Sequence, residues 1–341
     1  MKTTTQSWNE QVIEEQGIAR QVQDPQLSLN RKWVGKLPLL LRTLGTGALI
    51  FAMYSFMAHG WQSGNDLLRY FMMLGHTGLL AALGLASGYW LKESKGARLL
   101  LTLALVSIPA NFAILGAFIF SQTYGLDINQ YPYYVSWSVD SLQSALLTSG
   151  GAMLVLIPVV ILGFTVLARS LSKKLSLLFL VSNAMMLLPV RDPQLISLMV
   201  LALTALTIHL GRIIATNNSA ARTQEGITAL GLQMLPLVVL SVRNIWLYSV
   251  DTYLLIAMTL TTFLVLRQLS LYLKPGTRWH NMMDIISLVP AYLMMLLLTS
   301  LLQQTVWLSD ALVLPMAAWV SAAMVYYLSL NNAQYGVMFR R

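Results

Sequence analysis

The chain has no cysteine among its 341 residues and very little charge, with Asp, Glu, Lys and Arg together making up 10%. The missing thiol excludes disulfides, thiolate metal sites, iron–sulfur clusters and covalently attached haem together, and it leaves the redox compartment open. A soluble domain carries about 25% charged residues. At 10% charged, 56% hydrophobic and a mean hydropathy of +0.64, this chain reads as an integral membrane protein. Also missing are a P-loop, a GxSxG elbow and an HExxH pair, so no nucleotide, serine-hydrolase or zinc-protease chemistry is expected. The sequence therefore predicts a protein without catalytic residues, cofactor or metal.

What is present is a succession of long apolar runs. A hydrocarbon core about 30 Å thick needs about 20 apolar residues per helix. Ten stretches meet or approach that length: 37–58, 67–91, 97–122, 142–168, 174–190, 193–212, 226–247, 251–272, 281–303 and 310–330. The fold expected is an all-α, polytopic membrane helix bundle of about ten spans. A polar N-terminal segment, 1–36, precedes the transmembrane domain, 37–330, and a tail, 331–341, follows it. The polar opening is not an apolar signal sequence, and no cleavage is expected. Within it, Trp8, Val12, Ile18 and Val22 recur on one helical face before Asp24-Pro25 ends the pattern.

Orientation follows from where the 22 basic residues fall. All but Arg69, Arg191 and Arg243 lie in the two tails, at alternate connections or in the ends of the stretches that flank them, among them Lys92, Lys95, Arg98, Lys173, Lys174, Lys274 and Arg278. That asymmetry places both termini in the cytoplasm by the positive-inside rule. It also accounts for the net charge of +9 through contact with anionic membrane lipids, so no nucleic-acid partner is expected. On the opposite side Asp66, Asp140, Asp192, Asp251 and Asp310 each stand at the start of an apolar stretch. A carboxylate there is suited to capping the orphan N–H groups of the first helical turn.

Few polar groups remain within the spans, and they form the candidate lining: His76, Asn111, Gln122, Asn183, Gln233 and Arg243. His76 falls near the midplane and is the one ionisable group placed there; Arg243 and Asp284 are placed near helix ends, within reach of the interface. Ion-coupled pumps usually carry buried charged partners, so a proton-relay antiporter is disfavoured. His209 lies too far from His76 in depth for a bis-histidine haem, and His76 is expected to donate a hydrogen bond to a neighbouring helix. The amides are uncharged and are expected to bridge helices, while Pro109, Pro158, Pro189, Pro236, Pro290 and Pro315 interrupt them. In "GHTGLLAALGLASGYW", Gly84 and Gly88 form a GxxxG surface for close helix packing, inside the bundle or against another membrane subunit.

The longest loop on the acidic side, "TYGLDINQYPYYVSWSVDS", alternates Tyr131, Tyr133, Val135, Trp137 and Val139. This spacing suggests an extended strip with one apolar face. It is a candidate external docking element, with Asp127, Tyr131, Tyr133 and Trp137 as its contact residues. "LGTGALIFAMYSF", the glycine-rich second helix and "LGAFIFSQTYG" resemble a group of uncharacterised bacterial multi-pass membrane proteins of the domain-of-unknown-function class, over about the first 125 residues. The resemblance implies a bacterial inner-membrane protein and supplies no activity. Two functions are consistent with these features: a non-catalytic scaffold or accessory subunit of a membrane assembly, and a permease or flippase for a neutral or lipid-like solute.

Overall fold

The structure, a computed structural model, describes residues 43–55, 65–90, 92, 94–123, 137–190, 192–217, 219–247, 251–273, 276–305 and 310–338. By contacts the chain divides into two units, Met1–Ala52 and Met53–Arg341. The described residues of the first are helical and belong to α1, Thr43–Ser55, which runs across the division. Ten further α-helices follow among the described residues. They are α2 (Asp66–Tyr89), α3 (Ser94–Thr123), α4 (Leu142–Leu167), α5 (Ser172–Ala184), α6 (Pro193–Asn217), α7 (Gln224–Leu232), α8 (Leu235–Leu247), α9 (Thr252–Tyr272), α10 (Arg278–Thr305) and α11 (Asp310–Met338).

All ten predicted stretches contain helix, and among the described residues seven helical segments are long and apolar enough to cross a membrane. Two predicted helices differ in form. The fifth, read as 174–190, is the 13-residue α5 followed by a 3₁₀ turn at Met185–Leu187. At 1.5 Å per residue α5 is about 20 Å long, too short to cross a core of about 30 Å by itself. The seventh, read as 226–247, breaks into α7 and α8 at Gln233–Met234. Pro236 supplies the cause: it has no N–H for residue 232, and its ring would clash with that carbonyl, so the helix stops and restarts with proline in its first turn. At the far end α11 continues to Met338, past the predicted boundary at 330.

α3 lies at the centre of the second unit. Its most apolar window is 83% buried, against 22% for α10. Its sequence, "LLLTLALVSIPANFAILGAFIF", sets Ser107, Asn111 and Gly116 among its apolar residues, and in a membrane small and polar residues favour helix–helix contacts. α2 and α4 pack along it. Gly84 brings α2 close, since a Cβ there would sit 2.9 Å from Leu101 Cγ and 3.3 Å from the Ala97 carbonyl oxygen; at Gly88 the nearest atom would be Ala97 Cβ, at 3.3 Å. These two glycines thus face α3 inside the unit. A second core joins α9, α10 and α11 through Phe263, Ala291, Met294 and Met324.

The helix starts correct part of the capping scheme. Asp192 accepts from the N–H groups of Gln194 and Leu195 at 3.0 and 2.9 Å, and Asp251 from Tyr253 at 2.8 Å. The caps of α2 and α4, however, are Asn65, which accepts from Leu67 N–H, and Ser141, which accepts from Ser144 N–H. Short polar side chains immediately beside Asp66 and Asp140 take the role and leave Asp66 free for other partners. For Asp310 the side chain lies outside the described residues. Replacing Asp192 or Asp251 with asparagine, an equally good cap, is expected to leave the melting temperature unchanged, while alanine costs about 1 kcal/mol at each site. Thermal unfolding of the four variants in detergent checks this.

Candidate functional site

Polar side chains buried among the helices gather at three levels. Near the middle of α2, the Thr77 hydroxyl donates to the Met73 carbonyl at 3.0 Å and lies 2.8 Å from the Ser107 hydroxyl of α3. Asn111 donates its amide to Thr77 Oγ1 and to the Ser107 carbonyl, both at 2.9 Å. All three side chains are fully buried, and Asn111 Oδ1 has no hydrogen-bond partner among the described residues. This cluster joins α2 to α3. Changing Asn111 to leucine leaves Thr77 on Met73 and Ser107 on the Ala104 carbonyl. The expected loss is therefore small, about 0.6 and under about 2 kcal/mol, read as a slightly lower melting temperature in detergent. A variant that unfolds as the parent does yet loses its cellular phenotype would instead place Asn111 on a solute path.

At the end of α2 that holds Asp66, a second cluster fixes the chain leading into α4. Arg69 Nη1 donates to Asp66 Oδ1 at 2.7 Å, and Asp66 Oδ2 accepts from Ser138 N–H at 2.9 Å. The Arg69 guanidinium stands 4.4 Å from the centroid of the Trp137 ring. Trp137 also meets Phe118 edge-on, and Phe118 meets Tyr70. Gln122 donates to the Val139 carbonyl. Trp137 is 6% exposed, which corrects its reading as an external contact residue: apolar burial and the cation–π contact turn it inward. Asp127, Tyr131 and Tyr133 lie outside the described residues, as does the 1–36 segment.

Arg243 of α8 is also buried, and its Nη1 donates to the Met186 carbonyl at 3.0 Å. Asn183 donates to the Phe179 carbonyl of its own helix, and Gln233, in the break between α7 and α8, donates to the Leu175 carbonyl of α5. The oxygens of these two amides have no hydrogen-bond partner among the described residues. His76 is half-buried on α2. Asn111 bonds α2, Gln233 bonds α5 and Asn183 bonds its own helix, and among the described residues no hydrogen bond joins one of these amides to another, so they do not form a continuous row.

The third level was not anticipated. Near the end of α9, Arg267 is fully buried and donates from Nη1 to Asp284 Oδ1 of α10 at 3.1 Å and to Ser270 Oγ at 3.2 Å. His280 places Nδ1 2.9 Å from the Ser270 carbonyl and Nε2 3.5 Å from Asp284 Oδ2. Beside them Arg212 of α6 donates from Nε to Gln268 Oε1 and from Nη2 to Tyr327 Oη of α11, each at 3.0 Å. Four helices are tied together here by charged or polar side chains. The sequence reading gave His76 alone to the interior and let Asp284 reach the interface. Asp284, 24% exposed, also turns to Arg267, because a guanidinium within the span needs a carboxylate and a carboxylate beside it is held by the same attraction. A signal existed: about the turn at Gly276, Arg267 and Asp284 are nearly equidistant along the chain, which puts them at one depth in a helical hairpin. The link from Arg212 to Gln268 joins residues far apart in sequence and had no such signal.

Chemically, this arrangement can hold a charge in place. Among the described residues no three His, Asp or Glu side chains gather where a metal ion could sit. On the side of α10 and α11, an open groove of about 530 Å³ is lined by uncharged side chains, among them Tyr292, Ala318, Ser321, Ala322 and Tyr326. No protein-family model, curated protein or solved structure matches this chain.

Proposed function

We propose that the chain is a non-catalytic component of a membrane assembly, a scaffold or accessory subunit with about ten spans and both ends in the cytoplasm of a bacterial inner membrane. The observation that carries this reading is the use made of the buried polar groups. Thr77 and Asn111 join α2 to α3, Arg243 holds the turn after α5, and Arg212 and Arg267 tie α6, α9, α10 and α11. Polar groups used in this way rigidify a bundle, which suits a platform for other membrane subunits and lipids. The distribution of Lys and Arg supports the orientation.

A second reading, a permease or flippase for a neutral or lipid-like solute, is favoured by the open groove between α10 and α11 and by the broken helix at Gln233. Discontinuous membrane helices commonly line substrate sites. Isolation from native membranes in lipid nanodiscs separates the two. A partner that co-purifies at fixed stoichiometry supports the subunit, whereas a monodisperse monomer that exchanges labelled lipid or solute across vesicles supports the transporter. Reporter fusions at Asn30, Asn129 and Asn332 are expected to read inside, outside and inside; an outside reading at Asn332 would remove the ten-span topology.

A further inference from the structure

Along α10 one face is left uncovered by the other described residues. Arg278, Ile285 and Tyr292 are all exposed and follow one another at seven-residue intervals, which keeps side chains on one side of a helix to within about 20° per step. This face reaches the open groove beside α11, about 530 Å³ in volume, lined by the exposed rings of Tyr292 and Tyr326 and by the small side chains of Ala318, Ser321 and Ala322. The Ser321 hydroxyl is already committed to the Ala291 carbonyl at 2.7 Å. Among the described residues no charged side chain lines the groove. Such a lining offers little to water and suits a hydrocarbon occupant.

Size and charge decide between a second helix and a lipid chain. A helix about 10 Å across fills roughly 400 Å³ per turn, so the groove takes in little more than one of the about five or six turns in a membrane span. An acyl chain is slender enough to lie in it. At the other end of the same face Arg278 offers a cation, and the neighbouring Trp279, 63% exposed, is a residue type that gathers at the headgroup level. The step from Arg278 to Tyr292 corresponds to about 21 Å along the helix axis. The headgroup zone takes about 5–7 Å of that and leaves about 14–16 Å, the depth of one leaflet's hydrocarbon. We infer that this face of α10 holds one anionic phospholipid, its phosphate at Arg278 and one acyl chain lying past Ile285 into the groove at Tyr292 and Tyr326. Arginine attracts such headgroups from the surrounding bilayer, and the groove fixes the chain, so the two contacts together separate a bound lipid from a passing one.

The test replaces Tyr292 with a photoreactive phenylalanine analogue, which keeps an aromatic ring at the groove. The full-length protein is irradiated in native membranes and in vesicles of phosphatidylcholine containing phosphatidylglycerol. In native membranes the intact mass is expected to show a phospholipid adduct. In the vesicles the adduct should favour phosphatidylglycerol over its share of the bilayer by about fivefold, the factor one basic residue supplies near an anionic headgroup. The same analogue in place of Leu154, 80% exposed on α4, reports the bulk composition. Arg278→Gln should abolish the enrichment, and Ala322→Trp, which fills the groove, should lower the adduct yield severalfold. Both residues are exposed, so both variants should melt as the parent does. An adduct composition at Tyr292 equal to that at Leu154, enrichment that survives Arg278→Gln, or a native-membrane adduct with a second copy or another membrane protein would overturn the proposal. The inference does not rest on the subunit reading: a protein adduct would sink it while supporting an accessory subunit, and a chain without partners leaves it standing.

Discussion

Replacing Gly116 with alanine is expected to abolish stable folding or lower the melting temperature by roughly 10 °C. A Cβ at this position would lie 2.0 Å from the Met186 carbonyl oxygen, 3.0 Å from the Met186 carbonyl carbon and 3.2 Å from Arg243 Nη1. The first two are backbone atoms, so no side-chain rotation relieves the overlap. Overpacking alone usually costs about 1–3 kcal/mol. Here the carbonyl that must retreat is also the acceptor for buried Arg243, and a weakened bond to a buried charged group adds about 1–3 kcal/mol. A combined loss of roughly 2–6 kcal/mol is a large part of the stability of an ordinary domain. Gly150→Ala and Gly151→Ala are the controls, since an added Cβ at either meets nothing within 4 Å. Alanine is favoured over glycine in a helix by about 1 kcal/mol, so both controls should melt at or above the parent. Equal behaviour of the Gly116 and Gly150 variants in fluorescence-detected unfolding would show that α3 does not approach the turn after α5 this closely.

That contrast marks the boundary of what the amino-acid order could convey. The helix positions were legible because hydrocarbon imposes a length and a polarity on every span, and each of the ten apolar stretches contains helix. Where the reading was inexact, the responsible term was local: Pro236 divided a predicted helix, and Asn65 and Ser141 took caps assigned to the neighbouring aspartates. The close packing was not legible. Gly116, Gly150 and Gly151 look alike in sequence, and only the fold brings Met186 onto the first. Trp137 was similarly ambiguous, because an alternating aromatic strip suits an exposed surface as well as a buried one, and Arg69 and Phe118 decide between them. Asn111 was legible in type, as a bridging amide, but not in its partner Thr77, which the second helix supplies.

The ion pair at the other end of the bundle gives the second large effect, and it is asymmetric. Arg267 is fully buried, whereas the Asp284 side chain is 24% exposed. Removing the carboxylate by Asp284→Leu leaves a guanidinium enclosed among helices without its counter-charge, a change that costs about 3–5 kcal/mol in buried pairs. Removing the cation by Arg267→Met leaves a carboxylate that can turn toward water and His280, so the expected loss is smaller, about 1–2 kcal/mol. The double variant Arg267→Met/Asp284→Leu removes both charges and fills the space with apolar atoms, an exchange that is often neutral or stabilising. It should therefore melt well above the Asp284→Leu single variant, with a coupling of about 2 kcal/mol or more in the double-mutant cycle. Additive losses would mean that the pair does not interact energetically. The same double variant also tests what the pair is for. If these charges only join helices, the apolar replacement stays folded and keeps its stoichiometric membrane partner. If they hold or release an ion during transport, the variant is equally folded and is inactive in vesicles, because apolar side chains restore packing but cannot carry charge. A stable, inactive Arg267→Met/Asp284→Leu protein would decide against the accessory-subunit reading in favour of transport.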